Sequence, residues 1–351
     1  MPGKPLVVFR ADGQARMGLG HLVRSSALAE MLAPEFHCVL VYRDCPASLL
    51  PALRKGFRNI KSFGEADPLF VSNPEPGSPA EAAALLRLLP ELLRAEADAA
   101  TDDLPIIVLD GYHFKTDYQR AIRAHGLKLA CIDDVYACHY AADVIINHAG
   151  GVSPDDYSAD AGAIYLLGLR YALLREPFRS ARQPSVAGTD GERIFVCLGG
   201  ADPCNDTINV LRHAVAQRPD AAFDLVLGNA YRHEAELNAF LSDSPIDLTI
   251  HRSLSAAAMK DLMARSTIGI TSASTIAYEY LSAGGDLFLV EIVDNQKNIM
   301  AFFQSSGLTK SFFAQFPHFS NAEREAANEL KATYFDGRAA VRYRTVFNQL
   351  R

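Results

Sequence analysis

The sequence predicts an α/β protein built from two doubly wound parallel-sheet domains, and three observations lead to this fold class. Short apolar runs alternate with helical patterns through most of the 351 residues. The apolar runs are continuous rather than alternating, which is typical of parallel strands covered on both faces. The chain is also longer than a domain with a single hydrophobic core usually is, and a polar segment interrupts it near 175–192.

The predicted elements follow one another in a regular order. Strands before the polar segment are expected at 5–10, 37–42, 105–109, 128–132, 143–146 and 164–166. Strands after it are expected at 193–198, 222–227, 247–250, 267–270 and 286–292. Helices are expected between them at 20–33, 79–99, 115–124, 205–217, 231–241, 255–264 and 275–283. We therefore predict a first domain over 1–175, a second over 193–321, and closing helices over 322–351.

Composition excludes several classes of function. Hydrophobic residues make up 49% and charged residues 21% of the chain, and the net charge is −7. This acidic balance argues against nucleic-acid binding through a basic surface. No apolar run approaches the roughly 18–20 residues that span a bilayer, and the N-terminus carries no signal-peptide pattern. We expect a cytoplasmic protein without membrane insertion, compatible with a monomer.

The cysteines and acidic residues give no metal or redox signature. None of the six cysteines forms a C-x-x-C pair, and a disulfide framework is not expected. Cys38, Cys131 and Cys197 lie in strand-like runs and read as small buried residues. Asp133 and Asp134 follow a predicted strand, where they would order a site or cap a turn, but regularly spaced His or Cys ligands are missing. We predict no metal and no cofactor.

The most informative segment is FRADGQARMGLGHLVR, residues 9–24, where the first strand passes through a glycine turn into a helix. Gly18 and Gly20 would let a ligand approach the backbone closely. His21 opens the helix, and a histidine there can act as a general base near neutral pH. A tight turn with a capping imidazole is the alternative. Arg24, one turn later, would hold a phosphate or acceptor, or simply be solvated.

Other candidate residues of the first half follow predicted strands, where ligands gather in open α/β sheets. Asp12 ends the first strand, and we place it with His21 and Tyr112 among the catalytic residues. Asp110 and Tyr112 follow the strand 105–109. Tyr112 would contact a sugar or its water, and Asp110 would orient a neighbour, or else cap the following helix region.

The second half carries glycine and hydroxyl turns in the corresponding places. Gly199 and Gly200 follow a strand, and their backbone N–H groups suit a diphosphate. Ser274 and Thr275 begin a helix and could donate to phosphate oxygens, although capping is the simpler interpretation. Glu279, one turn in, could accept two ribose hydroxyls. Asn295 and Gln296 follow the strand 286–292 and could read sugar hydroxyl or N-acetyl groups, or form an ordinary polar turn.

Taken in order, these segments resemble one family. FRADGQARMGLGHLVR, LDGYHF, CIDDVYACHYAADVIIN, LRYALLREPF, CLGGADPCNDT, ITSASTIAYEYLSAGG and DNQKNI are similar to the UDP-2,4-diacetamido-2,4,6-trideoxy-β-L-altropyranose hydrolases of pseudaminic acid biosynthesis. The resemblance covers most of the chain from 5 to about 305. It implies a GT-B fold of two Rossmann-like domains facing across a cleft, like the lipid-intermediate N-acetylglucosaminyl transferase of cell-wall synthesis, with a UDP-sugar as the small-molecule partner.

The resemblance also implies a role for each matching residue. The catalytic histidine falls on His21 and the cleft tyrosine on Tyr112. The diphosphate and nucleoside residues fall on Gly199, Gly200, Ser274, Thr275 and Glu279. The sugar-proximal amides fall on Asn295 and Gln296.

Three departures from the family pattern concern the sugar more than the UDP. Gly111 stands where histidine is common, Ser272-Ala273 replaces a frequent glycine pair, and the stretch 64–104 is longer than usual. A UDP-sugar-dependent glycosyltransferase and a non-catalytic nucleotide-sugar binding module therefore remain as alternatives. Both share the expected fold and differ from the hydrolase in what becomes of the sugar.

Overall fold

The computed structural model describes residues 3–13, 19–47, 49–63, 74–96, 103–180, 191–200, 202–228, 230–244, 246–292, 296–316 and 318–351. The chain forms two compact units. Unit one comprises Met1–Leu173 and Arg338–Arg351, and unit two comprises Leu174–Gly337. The last residues of the chain therefore belong to the same unit as the first.

Unit one contains a parallel sheet in the order β3-β2-β1-β4-β5-β7-β9. Its strands are β1 (Leu6–Ala11), β2 (His37–Tyr42), β3 (Asn59–Ser62), β4 (Ile106–Asp110), β5 (Lys128–Ile132), β7 (Val144–Asn147) and β9 (Ile164–Leu167). Two short strands, β6 (His139–Tyr140) and β8 (Ser158–Ala159), pair separately. Val7, Val8 and Phe9 are 0% exposed because helices cover both faces of the sheet.

The helices of unit one divide between the two faces of its sheet. They are α1 (Gly20–Leu32), α2 (Leu50–Leu53), α3 (Pro79–Glu96), α4 (Thr116–Arg123) and α12 (Ala339–Gln349). One core cluster joins Val7 and Phe9 to α1 and to Phe347 of α12. The other joins Val8 to α3 and α4 through Leu85 and Tyr118. Successive residues of β1 thus point into opposite layers, as the pleat of a strand requires.

Unit two contains a second parallel sheet in the order β12-β11-β10-β13-β14-β15. Its strands are β10 (Arg193–Cys197), β11 (Ala222–Leu227), β12 (Leu248–Arg252), β13 (Ile268–Ser272), β14 (Asp286–Val290) and β15 (Thr309–Ser311). Its helices are α5 (Asp206–Gln217), α6 (Glu234–Asp243), α7 (Ala256–Arg265), α8 (Thr275–Ala283), α9 (Lys297–Ser305), α10 (Phe312–Gln315) and α11 (Asn321–Tyr334). The expected α/β class is confirmed.

Both sheets reverse their strand order at one place. In unit one the order turns between β1 and β4, and in unit two it turns between β10 and β13. Such switch points open a crevice at the carboxyl ends of the strands. Four predicted site segments follow these strands, beginning near Gly20, Asp110, Gly199 and Ser274. The topology therefore gathers them in pairs, one pair in each unit.

The predicted strands are all present, with small shifts at their ends. Two edge strands, β3 and β15, were not predicted, because NIKS and TKS are too short and polar to form an apolar run. The predicted closing segment 322–351 contains two helices that belong to different units. Helix α11 belongs to unit two, whereas α12 packs Tyr343 and Phe347 into the core of unit one.

Candidate active site

A buried histidine–aspartate pair lies at the switch point of unit one. His21 is the second residue of α1, and Asp110 is the last residue of β4. The Nδ1 atom of His21 is 2.7 Å from Oδ1 of Asp110. A carboxylate only accepts hydrogen bonds, so this contact is a hydrogen bond in the tautomer with the proton on Nδ1, while Nη2 of Arg24 also lies 3.0 Å from Nδ1. In that tautomer the lone pair of the ring lies on Nε2, which can accept a proton from a substrate.

Asp110 is held as a carboxylate. Burial alone would raise the pKa of Asp110, but Arg24 and His21 outweigh it and lower the pKa to about 2. Arg24 donates through Nε and Nη2 at 2.7–3.0 Å, and Ser25 donates through Oγ at 3.0 Å. These donors fix the orientation of the carboxylate that orients His21.

Arg24 contacts a second carboxylate as well. Its Nη1 atom donates to Oδ2 of Asp134 at 2.7 Å. The Arg24 side chain is 6% exposed, and its guanidinium contacts Asp110 through Nη2 and Asp134 through Nη1. In this arrangement Arg24 positions Asp110 and Asp134, and its predicted contact with a substrate phosphate or acceptor stays a prediction.

Tyr112 completes the cluster. Its ring packs edge-on against His21, with ring centroids 4.8 Å apart and an interplanar angle of 81°. Burial, followed by the negative charge of Asp134, raises the pKa of the Tyr112 hydroxyl, which hydrogen-bonds to that carboxylate. The predicted residues His21, Asp110 and Tyr112 are therefore brought together in unit one.

Asp12 and Asp133 have different surroundings. Oδ1 of Asp12 accepts the backbone N–H of Arg43 at 2.6 Å and pairs with Arg10 at 2.7 Å. Oδ2 of Asp133 accepts the backbone N–H of Tyr136 at 3.0 Å, which closes a turn where Tyr136 has a φ of 55°. Both aspartates thus brace loops at the ends of strands. The catalytic role of Asp12 stays a prediction, because the structure turns Oδ1 of this carboxylate towards the loop that follows β2.

The glycine turn before α1 is described only in part. Gly18 lies outside the described residues. A β-carbon on Gly20 would meet no atom of the described residues within 4 Å, so packing against that part of the chain does not require glycine there. Gly111 is different, because a β-carbon there would lie 3.0 Å from the rings of His113 and Phe114.

His148 was not singled out from the sequence. It follows β7 directly, and its Nδ1 accepts the backbone N–H of Leu173 at 3.1 Å. Burial, with Arg24 next in effect, lowers the pKa of His148 to about 4. Its place at the carboxyl end of a buried strand is the same signal that pointed to Asp110.

The switch point of unit two carries backbone and hydroxyl groups. Gly199 has a φ of 99°, a conformation that favours glycine, and a β-carbon on Gly200 would meet no atom within 4 Å. The neighbouring helix α5 is already capped, because Asp202 accepts the backbone N–H groups of Asp206 and Thr207 at 2.8 and 2.9 Å. An anion at this turn would therefore meet the glycines rather than the start of α5.

Helix α8 begins differently. Its N-cap residue Ser274 makes no side-chain cap hydrogen bond, and its first turn holds no acidic residue. The Oγ of Ser274 instead lies 3.0 Å from Oγ of Ser272. Thr275 is the first helical residue. The first turn of α8 thus carries no carboxylate of its own at its positive dipole end, which suits anion binding.

Glu279 lies one turn into α8 and is 2% exposed. Arg175 donates to both of its carboxylate oxygens, from Nε at 2.7 Å and from Nη2 at 2.6 Å. Each oxygen keeps a second lone pair, so the pair does not prevent further hydrogen bonds. The arginine, in the segment LLREPF, was not assigned a role from the sequence.

Gln296 precedes α9, and its Oε1 accepts the backbone N–H of Ile292 at 2.9 Å. This bond braces the loop after β14. Asn295 lies outside the described residues. The predicted role of both amides in reading the sugar stays a prediction.

The described part of the chain lacks a metal-binding cluster and a membrane-spanning helix. Within it, no group of three His, Cys, Asp or Glu side chains is placed to hold a metal ion. None of the helices in the described ranges is both long and apolar enough to cross a membrane.

Comparison with known proteins shows the fold. No family model matches the chain. An uncharacterised protein of Methanocaldococcus jannaschii is 22% identical over 289 residues, which are 79% of this chain and 54% of that protein. The chain thus spans about half the length of this curated relative.

Solved structures match over nearly the whole chain. The calicheamicin glycosyltransferase CalG4 is 14% identical with a TM-score of 0.60, over 99% of this chain and 98% of that one. MurG of Acinetobacter baumannii is 15% identical with a TM-score of 0.54, over 97% and 95%. A UDP-N-acetylglucosamine 2-epimerase is 13% identical with a TM-score of 0.51, over 97% and 94%. At these identities the likeness shows the fold alone, and the chain has the GT-B fold.

Proposed function

We propose that this protein is a nucleotide-sugar hydrolase that releases UDP from a UDP-acetamido-deoxy sugar. The substrate we favour is UDP-2,4-diacetamido-2,4,6-trideoxy-β-L-altrose, as a step of pseudaminic acid biosynthesis. The observation that carries the proposal is the His21–Asp110 pair, because a proton on Nδ1 shared with Asp110 leaves the lone pair of the imidazole on Nε2. The family resemblance of the sequence segments supports the choice of substrate class.

The reaction follows from this geometry. Nε2 of His21 takes a proton from water as the water oxygen bonds to the anomeric carbon. The bond from that carbon to the β-phosphate oxygen breaks, and UDP leaves with the bonding electrons. Attack opposite the leaving group inverts the anomeric configuration. The buried Asp110 carboxylate stabilises the imidazolium that forms, as a carboxylate does in other acid–base pairs.

Unit two is assigned the UDP moiety. Backbone N–H groups at Gly199 and Gly200 and the start of α8 at Ser274 and Thr275 would stabilise the charge that grows on the leaving diphosphate. Glu279 would accept ribose hydroxyls on the lone pairs that Arg175 leaves unused. Asn295 and Gln296 would contact the sugar.

A glycosyltransferase is the second candidate. It is favoured by the likeness to CalG4 and MurG, of which the first is described as a glycosyltransferase. The same base would then deprotonate an acceptor hydroxyl instead of water. A binding module without turnover is the further outcome to distinguish.

The test is to incubate the protein with a panel of UDP-acetamido sugars and to follow the reaction by NMR. We expect free sugar of inverted configuration and UDP from one member of the panel, without any added acceptor. The His21→Ala variant, prepared in parallel, excludes a contaminating hydrolase. Release only after an acceptor is added would establish the transferase, and binding of UDP without any turnover would establish the binding module.

A further inference from the structure

A second buried polar cluster in unit one ties α3 to the end of β1. Glu81, in the first turn of α3, accepts hydrogen bonds from Nε and Nη2 of Arg10 at 2.9 and 2.6 Å. Both side chains are 0% exposed, and Arg10 also pairs with Asp12. Removing one partner of such a pair would leave a buried charge without compensation, so α3 is firmly anchored here.

The turn that precedes α3 packs against the loop that carries Tyr112. The backbone N–H of Gly77 donates to Oε2 of Glu81 at 2.5 Å, and Arg43 Nη2 donates to the carbonyl oxygen of Pro74 at 2.7 Å. A β-carbon on Gly77 would overlap the carbonyl oxygen of His113 and lie 2.9 Å from its carbonyl carbon. The turn therefore lies directly on the backbone of the residue that follows Tyr112.

The position of this loop matters because Tyr112 packs on His21. The two rings meet edge-on, so a shift of the backbone at His113 would move Tyr112 against the imidazole. We propose that residues 74–81 form a positioning element that holds the loop 111–114, and with it Tyr112, in register with His21. Gly77 and Glu81 are its positioning residues. They belong to the long stretch 64–104, which the sequence analysis left without a role.

The first test compares Gly77→Ala with Gly126→Ala. Both glycines have a φ of 75°, so both variants carry the same backbone strain. A β-carbon on Gly126 meets no atom within 4 Å, whereas one on Gly77 presses on His113. We expect the imidazole proton resonance of His21 to shift in Gly77→Ala and to keep its place in Gly126→Ala. The His21→Ala variant assigns this resonance among those of the ten histidines.

The second test keeps both glycines and changes the anchor. Glu81→Gln removes the charge that pairs with Arg10, and Glu91→Gln removes an exposed partner of Lys61 on the same helix. We expect a shifted His21 resonance in Glu81→Gln only. If Gly77→Ala does not fold, this pair of variants decides the matter.

An unchanged His21 resonance in the folded variants of Gly77 and Glu81 would overturn the proposal. These spectra need no substrate, so their outcome is separate from that of the proposed hydrolase activity. A kinetic test of the same variants rests on the proposed function, because a misplaced base lowers turnover by up to about 10²-fold. The expected loss is in kcat, with a displaced pH profile, and rescue of the profile by Glu81→Asp would support positioning.

Discussion

The two units use the same topology but place different chemistry at their switch points. Unit one gathers charges there, with His21, Arg24 and Asp110 buried in one hydrogen-bonded cluster. Unit two offers backbone N–H groups at Gly199 and hydroxyl groups at the start of α8. The first arrangement suits proton transfer, and the second suits an anion that arrives with its own charge. The two units thus share a topology but differ in the residues that follow their strands, and these residues decide which chemistry each unit suits.

Unit two also contains a His–Asp–Arg cluster, and its place is instructive. His251 and Arg193 contact the buried Asp224 at 2.7 and 3.0 Å. Arg193 begins β10, and Arg265, a further partner, ends α7 before β13. Arg193, Asp224 and Arg265 lie towards the amino ends of the strands, away from the carboxyl-end crevice where ligands bind, and His251, the last residue but one of β12, contacts Asp224 there. The composition of a cluster therefore does not identify a reaction centre without its place on the sheet.

The largest effect is expected from His21→Ala. Loss of a general base lowers turnover by about 10²–10⁴-fold, and UDP affinity should stay unchanged because UDP is proposed to bind to unit two. His251→Ala is the matched control, since it removes the histidine of the other cluster, and its turnover should equal that of the wild type. Steady-state kinetics and UDP calorimetry measure both properties. Equal losses in the two variants would break the comparison between the clusters.

Asp110→Asn should have the next largest effect. The amide no longer holds the His21 proton on Nδ1, so we expect kcat to fall about 10²-fold. The substitution also replaces the charged partner of Arg24 with a neutral one, so we expect unit one to be less stable. Asp224→Asn in unit two is a control of similar burial and partners, which should lose stability without losing kcat. Thermal unfolding and kinetics of both variants separate these effects, and a normal kcat in Asp110→Asn would contradict the assignment.

Acid should weaken unit one through His148. The pKa of this residue is lowered to about 4, so between pH 6.5 and 4 the unfolded chain binds a proton that the folded chain does not. Stability therefore falls as the pH falls, by up to about 1.4 kcal/mol per pH unit. Hydrogen exchange of the core amides of unit one measures this slope. The His148→Asn variant should show a smaller dependence of stability on pH, whereas a substitution of the exposed His125 should leave this dependence unchanged. Equal slopes in the wild type and both variants would contradict the prediction.

The smallest effect distinguishes two serines at helix starts. Ser274 does not cap α8, whereas Ser255 caps α7 by accepting the backbone N–H of Ala258. Ser274→Ala should weaken UDP binding by about 0.5–1.5 kcal/mol and leave stability unchanged. Ser255→Ala should lower stability by about 1 kcal/mol and leave UDP binding unchanged. Calorimetry and thermal unfolding provide the measurements, and unchanged UDP affinity in Ser274→Ala would move the diphosphate away from α8.

The sequence was sufficient for features that follow from local pattern. Strands that end together bring their next residues together, so the meeting of His21, Asp110 and Tyr112 could be anticipated. Contacts between residues far apart in the sequence could not be anticipated in this way. Arg10 and Glu81 are 71 positions apart, and only the packing of α3 on the sheet brings the two charges into contact. Arg175 and Glu279, 104 positions apart, pair for the same kind of reason.

The central claim is that water, activated by His21, attacks the anomeric carbon of a UDP-sugar. The most direct measurement is the reaction in ¹⁸O-labelled water without an acceptor, followed by mass spectrometry of both products. The account predicts one ¹⁸O atom in the released sugar and none in the UDP. Label in the UDP, or no release until an acceptor is supplied, would contradict it.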